Sequence, residues 1–368
     1  MDMIINANGE TIRTQAEREI RLLDVIRRFD IPFPAPCGGH GNCGGCLVSI
    51  RGAGQVLACR TSVGDVLRMT GGQQEIILDL PDAATAKILT DARGVSLAID
   101  PMIVREDIVL PMPTLADQRP DAERFQDVTG HMLSFETLRK LPRRMREDRG
   151  RISCVVRRDT GEVVDLIGKS STGPYGIALD IGTTTLVAYL YHLGTGQLLG
   201  HRAMTNPQGV FGADVISRIG AASGSRRDQS TMKERICTAI RELASALAAD
   251  AIRRGEDVQI DEIKLYMAAG NTTMLHLLAD IDPDAIARAP FIPAFTSGIV
   301  LPAMTLGLTP AGGALCALLP SVSAYVGADV VCGILACGMN MDNGKNRLLI
   351  DIGTNGEIAL AAGNRLIA

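Results

Sequence analysis

Four of the nine cysteines in this chain crowd into one short stretch, from Cys37 to Cys59, and no other feature limits its fold and chemistry so tightly. They stand in Cys37-Gly-Gly-His-Gly-Asn-Cys43-Gly-Gly-Cys46 and in Val-Leu-Ala-Cys59-Arg, a C-x5-C-x2-C-x12-C run. Glycines let such a loop turn through positive φ without a Cβ clash and bring backbone N–H groups close to sulfur. The odd total, with no apolar leader at the amino end, speaks against a disulfide framework. The other five, Cys154, Cys237, Cys316, Cys332 and Cys337, are scattered in apolar surroundings and read as small buried hydrophobes. Cys332 and Cys337 are separated by four residues in an apolar segment, which suggests helix packing rather than metal binding.

The spacing is close to the C-x4-C-x2-C…C run of plant-type 2Fe-2S ferredoxins, with one extra residue in the first gap. It predicts Cys37, Cys43, Cys46 and Cys59 as ligands of a 2Fe-2S cluster, with His40 a loop residue outside a ligand set already complete. A structural zinc site on the same four thiolates stays open, although zinc loops more often carry two CxxC knuckles where only one exists here. The flanks fit a β-grasp ferredoxin domain. Met3-Ile4-Ile5 and Thr11-Ile12 read as strands around an Asn8-Gly9 turn, and Leu22, Leu23, Ile26 and Phe29 as one face of a short helix ending before Pro32. Leu47 to Ile50, Val56-Leu57 and Ile76 to Leu78 supply further strands.

A length of 368 residues allows about two to three domains. We divide it into a ferredoxin-type domain at 1–80, a linker at 81–103 with a short helix at 81–94, a small α+β middle domain at 104–172 and an α/β part at 173–368. Lys and Arg number 37 against 41 Asp and Glu, and aromatics are 3% with no Trp, so a nucleic-acid partner is not expected. Residues 289–328 carry no charge, but Pro290, Pro293, Pro302, Pro310 and Pro320 break them up. They read as a buried, loop-rich part of the α/β domain and not as a membrane span, and the cytoplasm is the expected location. Ile152 to Leu166 reads as two strands around Asp159-Thr-Gly161. The segment from Arg139 to Arg158 holds nine Lys or Arg against two acids. A solvated face accounts for it, with a docking surface for an acidic protein as the alternative.

The α/β part contains a duplication. Gly-Ile-Ala-Leu-Asp180-Ile-Gly182-Thr183-Thr184-Thr185 and Arg-Leu-Leu-Ile-Asp351-Ile-Gly353-Thr354-Asn355-Gly356-Glu357 are each a strand, then Asp-Ile-Gly-Thr, then a second strand. A tight Gly and Thr turn presents N–H and hydroxyl groups to phosphate, and a strand-end Asp holds Mg²⁺ through water. The candidate ATP-phosphate and Mg²⁺ residues are therefore Asp180, Gly182, Thr183 and Thr184, with Asp351, Gly353, Thr354 and Gly356. Between the copies, Met232 to Arg254 has a helical apolar face at Ile236, Ile240, Leu243 and Leu247, closed by Gly255. A strand from Ile263 to Met267 turns through Gly270-Asn271-Thr272-Thr273 into a helix, a turn that either places N–H groups near a ligand or simply caps the helix, and Gly327-Ala328-Asp329 opens another, with Asp329 as cap or ligand.

The cysteine run followed by the two Asp-Ile-Gly-Thr hairpins resembles the ATP-dependent reductive activators of corrinoid proteins, along nearly the whole chain. Gly270-Asn-Thr-Thr-Met-Leu-His and Ala289-Pro-Phe-Ile-Pro add to the likeness. That resemblance implies an actin-like (ribonuclease H-like) ATPase lobe after the ferredoxin and middle domains. It also implies delivery of one electron from the cluster to the Co(II) corrinoid of a methyltransferase system, restoring Co(I) with help from ATP. The implied partners are that corrinoid protein and an upstream electron donor, and a homodimer stays open. The sequence stops at Ala368, soon after the second hairpin, so an incomplete second lobe is expected, with ATP turnover by this polypeptide alone in question. A plain electron carrier with a regulatory actin-like part remains the competing expectation.

Overall fold

The computed structural model describes residues 1–7, 10–29, 31, 33, 46–73, 75–80, 98–168, 170–310, 312–341, 345–353, 356–363 and 365–368. The first unit contains β1 (Asp2–Ala7), β2 (Glu10–Gln15), α1 (Leu22–Arg27), β3 (Leu47–Ile50), β4 (Gly54–Leu57), α2 (Val63–Met69) and β5 (Glu75–Asp79). Its sheet runs β2-β1-β5-β3-β4, with β1 parallel to β5 and the other neighbours antiparallel, which is the expected β-grasp arrangement. Alternating apolar residues make one sheet face the core, so Met3, Ile5, Val48, Ile50, Ile76 and Leu78 meet Leu22, Leu23, Val25 and Ile26 of α1. The Asn8-Gly9 turn, His40 and the 81–94 linker helix lie outside the described residues.

A second unit pairs β6 (Ile103–Val109), β7 (Arg151–Arg157) and β8 (Glu162–Ile167) into an antiparallel sheet with α3 (Asp121–Thr129) and α4 (Phe135–Glu147) on it. Its first strand starts one residue inside the segment read as linker, because Ile103 pairs with Arg157 and is fully buried.

The third unit is built on β9 (Tyr175–Ile181), β10 (Thr185–His192), β11 (Gln197–Thr205), α5 (Val215–Gly224), α6 (Arg226–Arg253), β12 (Ile263–Gly270), α7 (Thr272–Leu278), α8 (Asp284–Ala287), β13 (Ile299–Pro302), α9 (Ala303–Leu306) and β14 (Leu315–Leu318). The sheet order is β11-β10-β9-β12-β14-β13. β9 joins an antiparallel meander on one side to parallel strands β12 and β14 on the other. After α10 (Ala328–Ala336) the meander recurs as β15 (Arg347–Ile352), β16 (Gly356–Ala362) and β17 (Arg365–Ile367). Both copies of the repeat are therefore hairpins.

Several expectations change. Helix α6 begins six residues earlier than Met232, because Ser225 accepts a hydrogen bond from the Asp228 N–H and caps a polar first turn that hydrophobic spacing does not register. The uncharged stretch is not buried throughout: β14 is interior, whereas Phe291, Ile292, Val322 and Tyr325 are exposed. Of the scattered cysteines, Cys154, Cys237 and Cys316 are buried as expected, but Cys332 is half-buried and Cys337 is exposed at the C-terminal end of α10. Among the described residues no helix is long and apolar enough to cross a membrane.

Candidate functional site

Cys46 immediately precedes β3 and Cys59 follows β4, so the antiparallel pairing of these strands brings the two cysteines together. Their sulfurs are 3.1 Å apart, both residues are buried, and the Cys59 N–H points at the Cys46 sulfur at 3.5 Å. Two convergent buried thiols with an N–H donor beside them suit a thiolate-held cluster. Cys37 and Cys43 lie outside the described residues. Arg21, held to Asp24 at 2.8 Å, is near enough to interact with the charge of Cys59.

The two Asp-Ile-Gly hairpins flank the start of α10. Asp180, next to last in β9, is exposed at its surface yet closely surrounded by protein atoms. Poor hydration there, followed by the charges of Asp329 and Asp351, raises its carboxyl to about 6. Asp329 is also raised by burial and by Asp351, against a 2.9 Å bond accepted from the Val330 N–H. Glu357 on β16 is raised by burial and by the same two aspartates. The structure thus gathers predicted residues from both hairpins, with Asp329 acting as local N–H acceptor and as a member of the acidic group. Gly353 and the first residue of β16, Gly356, are exposed beside it, whereas Thr354 lies outside the described residues. No three His, Cys, Asp or Glu side chains among the described residues group as a ready-made metal site. A cation here would keep much of its water, as Mg²⁺ does.

The turn after β9 is fixed by the predicted Gly182 and by long-range contacts that sequence reasoning did not assign. Gly182 donates its N–H to the Thr185 carbonyl at 3.0 Å and closes the turn. A Cβ on Gly182 would stand 2.7 Å from that oxygen, so only glycine fits. Asn206 donates its side-chain amide to the Gly182 carbonyl at 2.8 Å, and its backbone N–H goes to the Thr184 carbonyl at 2.8 Å. The buried Arg218 reaches the Thr183 carbonyl at 2.5 Å. Asn271 caps α7 by accepting from the Met274 N–H and also donates to the Thr183 hydroxyl at 3.2 Å. Asn206-Pro207 and Asn271-Thr272 carry turn and cap signals, but neither motif shows that both asparagines reach the same hairpin.

A separate groove of about 920 Å³ runs between α4 and the third unit. Its cations are largely answered locally: Lys140 and Lys264 both reach the buried Asp165, Arg143 pairs with Glu147 and Arg139 with Glu136. The basic segment is therefore laced with ion pairs, as a solvated face is.

The fold and these sites define a multidomain protein in which a 2Fe-2S cluster binding domain is joined to a repeated-hairpin lobe. Residues 5–64 match the 2Fe-2S iron-sulfur cluster binding domain, 92–173 the RACo linker region and 175–342 the RACo middle region. The chain thus carries a 2Fe-2S iron-sulfur cluster binding domain followed by RACo linker and middle regions. The corrinoid activation enzyme RamQ of Eubacterium limosum is 31% identical over 363 residues, an alignment covering 93% of this chain and 56% of that protein. A solved reductive activator for corrinoid, iron-sulfur protein is 28% identical with a TM-score of 0.63, covering 99% of this chain and 62% of that one. The chain thus spans between about half and two thirds of the length of each, 56% and 62%.

Proposed function

We propose that this chain delivers single electrons to the Co(II) corrinoid of a methyltransferase partner and returns it to Co(I), with ATP assisting. Cys37, Cys43, Cys46 and Cys59 would hold the 2Fe-2S cluster. The reading rests above all on the 3.1 Å approach of the buried Cys46 and Cys59 thiols inside a ferredoxin-type unit. Bound there, the cluster supplies one-electron chemistry, the equivalent that converts Co(II) to Co(I). The protein keeps Cys46 and Cys59 dry and offers an N–H to sulfur, both of which influence the reduction potential. An upstream redox protein in the cytoplasm would reload it.

The nucleotide part assigns Asp180, Gly182, Thr183 and Thr184, with Asp351, Gly353, Thr354 and Gly356, to the phosphates and Mg²⁺. Bound Mg²⁺ would neutralise the carboxylates that crowd one another at Asp180, Asp329 and Asp351. ATP acts on reduction only through different affinities for two conformations, one of which makes the partner's cobalt easier to reduce. The test follows the visible absorption of Co(II) in a purified corrinoid protein mixed with the reduced chain, with and without MgATP. Loss of Co(II) that quickens with MgATP supports the proposal. Equal rates would leave an electron carrier, and no loss in either arm would remove the corrinoid reading.

A further inference from the structure

Arg218 on α5 is 1% exposed. Its Nε donates to the Gly212 carbonyl at 2.8 Å, one Nη to the Thr183 carbonyl at 2.5 Å, and the other lies 3.2 Å from the Met274 sulfur. Among the described residues no carboxylate lies within ion-pair distance of it, and Asp214, which caps α5, acts only from farther away. Burial lowers its pKa to about 10, which leaves it charged at neutral pH. A buried cation without a counter-ion is destabilising. A fold that retains one gains if an anion completes the charge balance.

The peptide geometry indicates where that anion would sit. Three consecutive carbonyls, of Gly182, Thr183 and Thr184, accept hydrogen bonds from Asn206 and Arg218. In a planar trans peptide the N–H opposes the C=O. The N–H groups of Thr183 and Thr184 therefore point to the side of the turn opposite Asn206 and Arg218, and N–H groups on one side of a turn are the kind that receive anions.

We propose that Arg218 is a positioning residue for a phosphate-bearing ligand: it fixes the 182–184 turn from behind and supplies the positive charge that the ligand's phosphates neutralise. This rests on the nucleotide part of the function proposed above. Calorimetric titration of the full chain and of Arg218→Met with ATP, ADP and AMP, in magnesium-containing buffer, tests it. A charge acting from behind the 182–184 turn on the phosphates seated there predicts a loss that grows with the number of phosphates: about tenfold or more for ATP, less for ADP, least for AMP. Arg218→Lys should recover much of the ATP affinity, and thermal unfolding checks that each variant is folded. If Arg218→Met does not fold, Arg218→Gln, which keeps amide donors without the charge, makes the same comparison. Equal losses for all three ligands, or none, would overturn the role of Arg218 and leave nucleotide binding intact. Failure of the unsubstituted chain to bind any of the three would remove the nucleotide reading and this inference together.

Discussion

Asp180 carries an electrostatic penalty that is readable in its titration. Its folded pKa, about 6, lies above the ordinary value of 3.8, so the folded chain binds more protons than the unfolded one between these values. Its contribution is therefore most favourable below about pH 4 and is lost as pH rises through 6. Asp180→Asn should raise the melting temperature at pH 8 more than at pH 5 while weakening magnesium-dependent ATP binding. An equal shift at both pH values would mean that neither burial nor the charges of Asp329 and Asp351 raise this carboxyl. Asp180 and Asp351 were legible because each sits in a local pattern that repeats. Asn206 and Arg218 were not, nor was the reach of Asn271 beyond its own cap, because the three arrive at the same turn from 24, 35 and 88 residues away, through contacts that only the folded sheet creates.

The β-grasp strands and α1 could be read from alternation and helical spacing, since their apolar residues coincide with the buried face. Helix α2 could not be read that way, having only Val63 and Val66 fully inside. Its signal is the capping box Ser62-x-x-Asp65, in which the Asp65 N–H bonds the Ser62 hydroxyl at 3.1 Å and the Ser62 N–H bonds Asp65 at 2.8 Å. This helix starts four residues after Cys59, so its first turn anchors the chain that carries that thiol. Ser62→Ala should cost about 1 kcal/mol of stability. Absorption of the reconstituted variant should then bleach faster in chelator, and an unchanged bleaching rate would separate the cap from the cysteine it follows. The final sheet is a different case. Leu348, Ile350, Ile352, Ile358, Leu360 and Ile367 are exposed, whereas Ala359 and Ala361 are buried with Val330 and Ile334 of α10.

The second and third units are locked together by a small polar centre in an apolar seam. Ile103, Val155, Val164 and Ile167 pack with Leu265 and Leu315, and beside them Asp165 holds Lys140 of its own unit and the buried Lys264 of β12. Removing one partner of a buried pair costs about 3–5 kcal/mol. Asp165→Asn should lower the calorimetric melting temperature and separate the melting of these units, and an unaltered single transition would show that the seam holds without it. The order of the units was legible from the cysteine run and the duplicated hairpin. Their docking was not, since Asp165 and Lys264 are 99 residues apart and neither belongs to a motif.

The metal content of the anaerobically reconstituted chain decides the account most directly. About two irons and two acid-labile sulfides per chain, with a paramagnetic signal on reduction that Cys46→Ser abolishes, is the predicted result. Zinc bound without sulfide, or iron retained unchanged by Cys46→Ser, would contradict it.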